Sequence, residues 1–329
     1  MKIALAGKPG CGRSTLFKAL AGSSDADTGK PLTVQVPDER LDYLTTVHIP
    51  EKKVNATVVF YDVPSPSFSP GNMAIMRNAA VLAAVLDNYA LGDLVADFSE
   101  IESELILSDM KITEKRLARL RKESKGKSRE AILLERILAH METDQPLRTV
   151  SFDSNELDLL SPYAPLSLKP LLVVPNRMGE PVTPEDALHE AVLSHGASIL
   201  PIDAGLELEL TAIENDDRQE FLESLGYSSS GLSRLIRESY SALDLIVFYT
   251  IGKDEVRAWP LRQGATAPEA AGSIHTDFAR GFIRAIVMPY ELYHEFPDRA
   301  MLKDRGELQI EGKNYVVQDG DIIEILFNV

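Results

Sequence analysis

The stretch Gly7-Lys8-Pro9-Gly10-Cys11-Gly12-Arg13-Ser14-Thr15 decides the fold of this 329-residue chain. Ahead of it, Lys2-Ile3-Ala4-Leu5-Ala6 is a short apolar run that reads as a buried strand. Behind it, Ser14 to Leu20 carries a helical pattern. Strand, glycine-rich turn and helix form the opening of an α/β domain. Gly7, Gly12 and Ser14 stand in the register G-x-x-x-x-G-K-[ST] of a phosphate-binding loop, and only the lysine is changed, to Arg13. Glycines let backbone N–H groups turn toward phosphate oxygens with no Cβ in the way. The helix that follows adds its positive N-terminal end. Gly7, Lys8, Gly10, Cys11, Gly12, Arg13, Ser14 and Thr15 are therefore the candidate phosphate cradle, with the Ser14 hydroxyl a candidate Mg²⁺ ligand.

Arginine is not an innocent replacement. A guanidinium is planar and bulky, and it cannot act as the same point charge inside a tight loop. Lys8, five residues earlier, is a candidate source of compensating charge. The plainer reading is a strand-turn-helix whose glycines serve turn geometry and hold no ligand. Cys11 near a helix N-terminus has a route to a lowered pKa, although a small residue that merely fits the loop explains it as well.

Working outward, Val58 to Tyr61, Val81 to Leu86, Leu171 to Val174 and Ile199 to Ile202 read as further strands, the alanines of the second also permitting helix. Helical stretches such as Pro184 to His195 separate them, which argues for a parallel sheet covered on both faces. Between residues 98 and 147 two apolar stripes appear. Ile106, Met110, Leu117 and Leu120 make one, and Leu134, Ile137, Leu138 and Met141 make the other. Ser124-Lys125-Gly126-Lys127-Ser128 is the turn of an antiparallel helical hairpin inserted in the α/β domain. From Leu245 onward, Ile246 to Tyr249, Ile283 to Val287, and Tyr315 to Val317 turning into Ile322 to Phe327 predict a small mixed β domain. The predicted layout is an α/β domain at 1–97 and 148–244, a coiled-coil hairpin at 98–147 and a β domain at 245–329.

Composition narrows the function. Hydrophobic residues make up 44% and charged residues 26%, the balance of a folded globular chain rather than a disordered one. No apolar run reaches bilayer length and the N-terminus lacks a signal-peptide pattern, so a membrane protein is not expected. A single cysteine excludes an internal disulfide and a cysteine zinc cluster, and suits a reducing cytoplasm. With 34 basic against 50 acidic residues the net charge is −16, which rules out a basic coat. Yet residues 111–136 hold ten basic and four acidic residues, a local +6 that leaves −22 for the rest. That contrast points to a polyanion such as RNA, with Lys122, Lys125, Lys127 and Arg129 at the turn as candidate contacts. A solvated hairpin laced with ion pairs is the competing explanation. His189 and His195 are six residues apart on one predicted helix and share no ligand face. His275-Thr276-Asp277 lacks a nucleophile to complete a catalytic set and reads as structural, and Asp216-Asp217 reads as a helix cap.

Longer strings carry a family resemblance. They are Val36-Pro37-Asp38-Glu39-Arg40-Leu41-Asp42, Ala56 to Asp62, Ile101 to Leu107, Glu114 to Leu117, Asp254 to Trp259, Thr266 to Gly272, Ile274 to Phe278, Arg280 to Ala285 and Tyr315-Val316-Val317-Gln318-Asp319-Gly320-Asp321. On these the chain resembles the YchF/Obg-like ATPase family of P-loop GTPases. The resemblance implies a G domain, an inserted helical hairpin and a C-terminal TGS domain of β-grasp type. It also implies binding of ATP or GTP with Mg²⁺ on Ser14 and Asp62, slow hydrolysis and association with ribosomal RNA through the hairpin and TGS domain. A monomer that binds no DNA is expected.

The departures fall in the nucleotide motifs. D-x-x-G becomes Asp62-Val63-Pro64-Ser65, with Pro66 following. N-x-x-E becomes Asn176-Arg177-Met178-Gly179, keeping Asn176 to touch the base but losing the acid that supports base choice. The switch segments are abbreviated. Losing the lysine and a γ-phosphate amide predicts that binding outlasts turnover. The expectation is thus a nucleotide-binding, ribosome-associated, translation-factor-like regulator with weak or lost hydrolysis. Two competitors are an active ATPase using Arg13 and Lys8, and a scaffold that binds no nucleotide.

Overall fold

The computed structural model describes residues 1–328, apart from the side chains of Asn215 and Asp216. Its strands are β1 Lys2–Gly7, β2 Leu32–Gln35, β3 Lys52–Val54, β4 Thr57–Asp62, β5 Val81–Asp87, β6 Leu171–Asn176, β7 Ser198–Ile199, β8 Leu245–Ile251, β9 Glu255–Arg262, β10 Phe282–Pro289, β11 Gln309–Glu311 and β12 Asp321–Phe327. The chain divides into two units, Met1–Val34 with Val58–Ser239, and Gln35–Thr57 with Tyr240 onward.

In the first unit the sheet order is β2-β4-β1-β5-β6-β7, and β1 lies parallel to both β4 and β5. The alanine-bearing run Val81 to Leu86 is strand, not helix, because it lies between β1 and β6 with parallel partners on either side. All six of its residues are buried, as expected of a strand covered on both faces. The run at Ile199 to Ile202 is strand only at Ser198–Ile199, with Ile202 bridging to Asn176. The predicted helix at Pro184 to His195 is observed over Asp186–Ser194.

The hairpin is built on one continuous helix, Leu94–Lys122, whose 29 residues extend about 43 Å at 1.5 Å per residue. Asp93 caps its start by accepting from the Ala96 N–H at 2.9 Å. Leu94, Phe98, Ile101 and Leu105 pack into the α/β core, whereas Ile106, Leu117 and Leu120 pack with Leu134, Ile137 and Met141 of the helix Arg129–Met141. The first helix thus starts four residues before the predicted boundary, and its base belongs to the α/β core. Asp109, buried in that base, pairs with Arg77 at 2.9 Å and accepts from the Leu166 and Ser167 N–H groups at 3.0 and 2.8 Å. Among the described residues no helix is long and apolar enough to cross a membrane.

The second unit has the sheet order β11-β10-β12-β8-β9-β3 over its own core, which includes Phe248, Ala270, Ala285, Val287 and Ile323. The segment Gln35–Thr57, which the sequence layout left in the α/β domain, belongs here, since β3 runs parallel to β9. Within this unit two strings read separately in the sequence meet. Arg40 pairs with Asp319 at 2.7 Å, and Tyr249 donates its hydroxyl to Asp38 at 2.7 Å. Gly320 lies at φ 88°, and a Cβ there would sit 2.9 Å from Arg40 Nη1. Tyr315 to Val317 is not a strand. It makes a single bridge, Val316 to Thr266, because its hydrogen bonds go to the start of the helix Ala267–Ile274 and the loop before it. Glu214, not the Asp216-Asp217 pair, occupies the N-cap of the helix Asn215–Ser224, and the Asp216 side chain lies outside the described residues.

Candidate nucleotide site

The end of β1 delivers the backbone into the loop at Gly7, where an added Cβ would sit 2.6 Å from both the Cys11 sulfur and the Val85 carbonyl oxygen. Gly10 and Gly12 adopt left-handed conformations at φ 85° and 84°, which only glycine takes without strain. At Gly12 a Cβ would also overlap the Asn176 amide at 2.0 Å. Helix Arg13–Leu20 then begins with no side chain capping it, so its opening turn keeps the donors that a phosphate accepts. Lys8 through Thr15, with Ser65 and Tyr89, line an open cleft of about 360 Å³. The two left-handed glycines and the uncapped helix start are the backbone features that a phosphate cradle uses.

Its charges are directed elsewhere. Arg13 is 8% exposed, and its Nε pairs with Asp62 at the end of β4. One terminal nitrogen donates to Ser67 Oγ at 2.8 Å and approaches the Gly7 carbonyl and Ser65 Oγ, each at 3.5 Å. Ser67 Oγ in turn donates to the Gly7 carbonyl at 2.9 Å. Breaking such a buried pair by removing one partner costs about 3–5 kcal/mol, because a charge is left in the interior without a counter-charge. The guanidinium is therefore a strut between β1 and β4 rather than a free phosphate ligand.

Lys8 does not replace it. Its Nζ lies 2.6 Å from Asp97 and 2.5 Å from Glu100, carboxylates spaced to share a face of the helix Leu94–Lys122. The hydrogen bond to Asp97, then that to Glu100, raises the Lys8 pKa and holds it charged and occupied. Asn176, 5% exposed, is also committed. Its amide nitrogen donates to the Cys11 carbonyl at 3.0 Å and its oxygen accepts from the Ala204 N–H at 2.9 Å, tying the loop to β6 and to the helix Ala204–Leu210. Burial pushes the Cys11 thiol up, which fits a packing residue and not a reactive one.

For Mg²⁺ the expected donors are Ser14 and Asp62. Ser14 donates its hydroxyl to Asp62 Oδ2 at 2.8 Å, while Oδ1 takes the arginine. With its carboxylate neutralised by a buried guanidinium, this donor set does not fit a divalent cation. At the other lost motif, the Gly179 N–H donates to Asp203 at 2.8 Å, and Glu180 is exposed away from the cleft lining. Sequence reasoning missed Ser67, Asp97, Glu100 and Tyr89, whose hydroxyl donates to the Gly10 carbonyl. Only the Asp97 and Glu100 spacing carried any signal.

On the hairpin Lys122, Lys125, Lys127 and Arg129 are all exposed. Lys125 lies 3.7 Å from Glu123 and Arg129 lies 3.4 Å from Asp153. Arg116 forms a fork on Glu130 at 2.8 and 2.9 Å, and Arg119, Arg121 and Arg136 pair with Glu123, Glu135 and Glu156. Among the described residues Lys111, Lys115, Lys122 and Lys127 have no acidic partner within ion-pair distance. His275 is the N-cap of the helix Thr276–Arg280, its Nδ1 accepting from the Asp277 N–H at 3.2 Å. His195 Nδ1 bonds the Ala191 carbonyl at 2.8 Å, a helix-end contact.

A sheet with β4, β1, β5, β6 and β7 parallel, whose first strand runs through a glycine loop into a helix, with Asp62 ending β4 and Asn176 ending β6, defines a P-loop GTPase fold. Comparison with known proteins narrows the class. The family YchF-GTPase_C, described as a protein of unknown function (DUF933), matches residues 245–328. Ribosome-binding ATPase YchF of Haemophilus influenzae is 36% identical, with all of this chain and 99% of that protein covered. The protein of that name from Bacillus subtilis is 35% identical over 99% of this chain and 98% of its own length. The structure of the Schizosaccharomyces pombe YchF GTPase superposes with a TM-score of 0.90 at 26% identity, covering 99% of this chain and 97% of that one. The chain belongs to the YchF family.

Proposed function

We propose that the protein is a cytoplasmic, ribosome-associated regulator of translation-factor type that binds ATP or GTP in the cleft of the glycine loop and hydrolyses it weakly or not at all. Association with ribosomes is carried over from relatives named as ribosome-binding ATPases. Retained binding is supported by the uncapped helix start and the two left-handed glycines, since main-chain donors hold phosphate without the lysine. The observation that carries the loss of turnover is the Arg13 guanidinium on Asp62 and Ser67. A phosphoryl-transfer site needs cationic charge on the transferring oxygens, and here Arg13 is spent on buried Asp62 while Lys8 is drawn to Asp97 and Glu100 at the surface. Asn176 acts as a tie for the loop, and the hairpin turn, with the TGS-like β-grasp unit, carries the contact with ribosomal RNA.

Phosphate release from ATP and from GTP by the purified chain, with and without ribosomes, tests this reading. The expected result is release no faster than that of Ser14→Ala. Turnover that disappears in Ser14→Ala identifies an active ATPase and contradicts the proposal.

A further inference from the structure

We infer that the cleft takes its nucleoside polyphosphate without a divalent cation, the buried Arg13–Asp62 pair having replaced the metal site. This rests on the nucleotide-binding reading and adds the form in which the ligand is bound. A magnesium ion at a glycine loop needs a hydroxyl oxygen on the phosphate side and a carboxylate behind it that still carries its charge, because the ion keeps several waters and those waters need an acceptor. Ser14 meets the first requirement. Asp62 does not meet the second, since its Oδ1 accepts from Arg13 Nε and its Oδ2 from the Ser14 hydroxyl at 2.8 Å. A divalent ion on Ser14 would stand beside a fixed guanidinium, with no net negative charge from Asp62 to help hold it there.

Arg13 is not held by Asp62 alone. Ser67 Oγ accepts from it at 2.8 Å and the Gly7 carbonyl lies 3.5 Å away, so the group is fixed from the β1 side as well. A ligand entering the cleft meets main-chain donors at the helix start, and the Arg13–Asp62 pair lies behind them. The positive end of the helix and its main-chain N–H donors are what the site offers a polyphosphate in place of a metal.

Isothermal titration calorimetry of the full chain with ATP and with GTP, first in Mg²⁺ and then in excess EDTA, tests the inference. The expected result is a Kd that weakens by less than about threefold on chelation. A larger loss in EDTA overturns metal-free binding while nucleotide binding itself stands. Absence of binding in both buffers overturns the nucleotide-binding reading and the inference with it. Arg13→Lys keeps a cation and removes the planar fork, so it is expected to gain sensitivity to EDTA. Binding by that variant that is as indifferent to chelation as the parent contradicts the role given to Arg13.

Discussion

The phosphate loop and the hairpin turn hold the same kinds of residue and use them in opposite ways. At the loop, Arg13 and Lys8 are both drawn to acids of their own chain, Asp62 in one case and Asp97 with Glu100 in the other. At the hairpin, Lys122 and Lys127 stand in solvent with no acidic partner among the described residues, and Lys125 and Arg129 keep only long contacts at 3.7 and 3.4 Å. Burial sets Arg13 apart, since Lys8 is 38% exposed and its partner Glu100 is 63% exposed. A cation in the interior must be neutralised to exist there, whereas an exposed pair contributes at most about 1 kcal/mol and is easily exchanged for another partner. Counting positive residues near a loop therefore says little about what is available to a ligand, and on an exposed helix turn it says much more.

The largest expected effect lies at the buried end of that contrast. Arg13→Ala leaves the Asp62 carboxylate buried with only the Ser14 hydroxyl on it, and is expected to lower unfolding stability by about 3–5 kcal/mol in urea titration. A loss below about 1 kcal/mol would place the pair at the level of a surface contact and erase the distinction. An intermediate effect is expected at Glu207, buried and accepting from the Gly231 N–H. Burial raises its pKa above the ordinary carboxylate range. The folded state therefore holds its proton at a pH where the unfolded chain has released it. Stability from this group is full below the unfolded value and is lost as pH rises through the folded one. Glu207→Gln should thus gain stability relative to the parent as pH rises above about 4.5, measured by denaturation at several pH values. A difference that stays flat with pH would contradict the burial argument. The smallest effect on stability, within about 0.5 kcal/mol, is expected for Lys122, Lys125 and Lys127 reversed together to Glu. The same variant is expected to lose co-sedimentation with ribosomes. Unchanged sedimentation would remove the hairpin turn from the interaction.

Much of the fold was legible because apolar runs and glycines constrain it locally. The β1-loop-helix unit, four of the five further strands described in the first sheet and both hairpin stripes follow from residues close in sequence. What was not legible depends on partners far apart. Nothing near Val36 to Asp42 says that it sits with Gln318 to Asp321, yet Arg40 and Asp319 bring the two together. Tyr315 to Val317 has the composition of a strand, but its hydrogen bonds serve a helix start and the loop before it. At the site, the cradle's backbone was readable from Gly10 and Gly12, whereas the direction of Arg13 depends on Asp62 and Ser67, 49 and 54 positions away. The sequence marks Asn176 as a site residue, but its two amide bonds are made to the loop and to Ala204 rather than into the cleft.

The central claim is that Arg13 belongs to the protein's own framework and not to the ligand. A crystal structure of the chain grown with ATP tests it most directly. The account predicts phosphates on the loop amides, with the guanidinium still on Asp62 and Ser67. A guanidinium swung onto the phosphates, with a metal ion between Ser14 and Asp62, would contradict it.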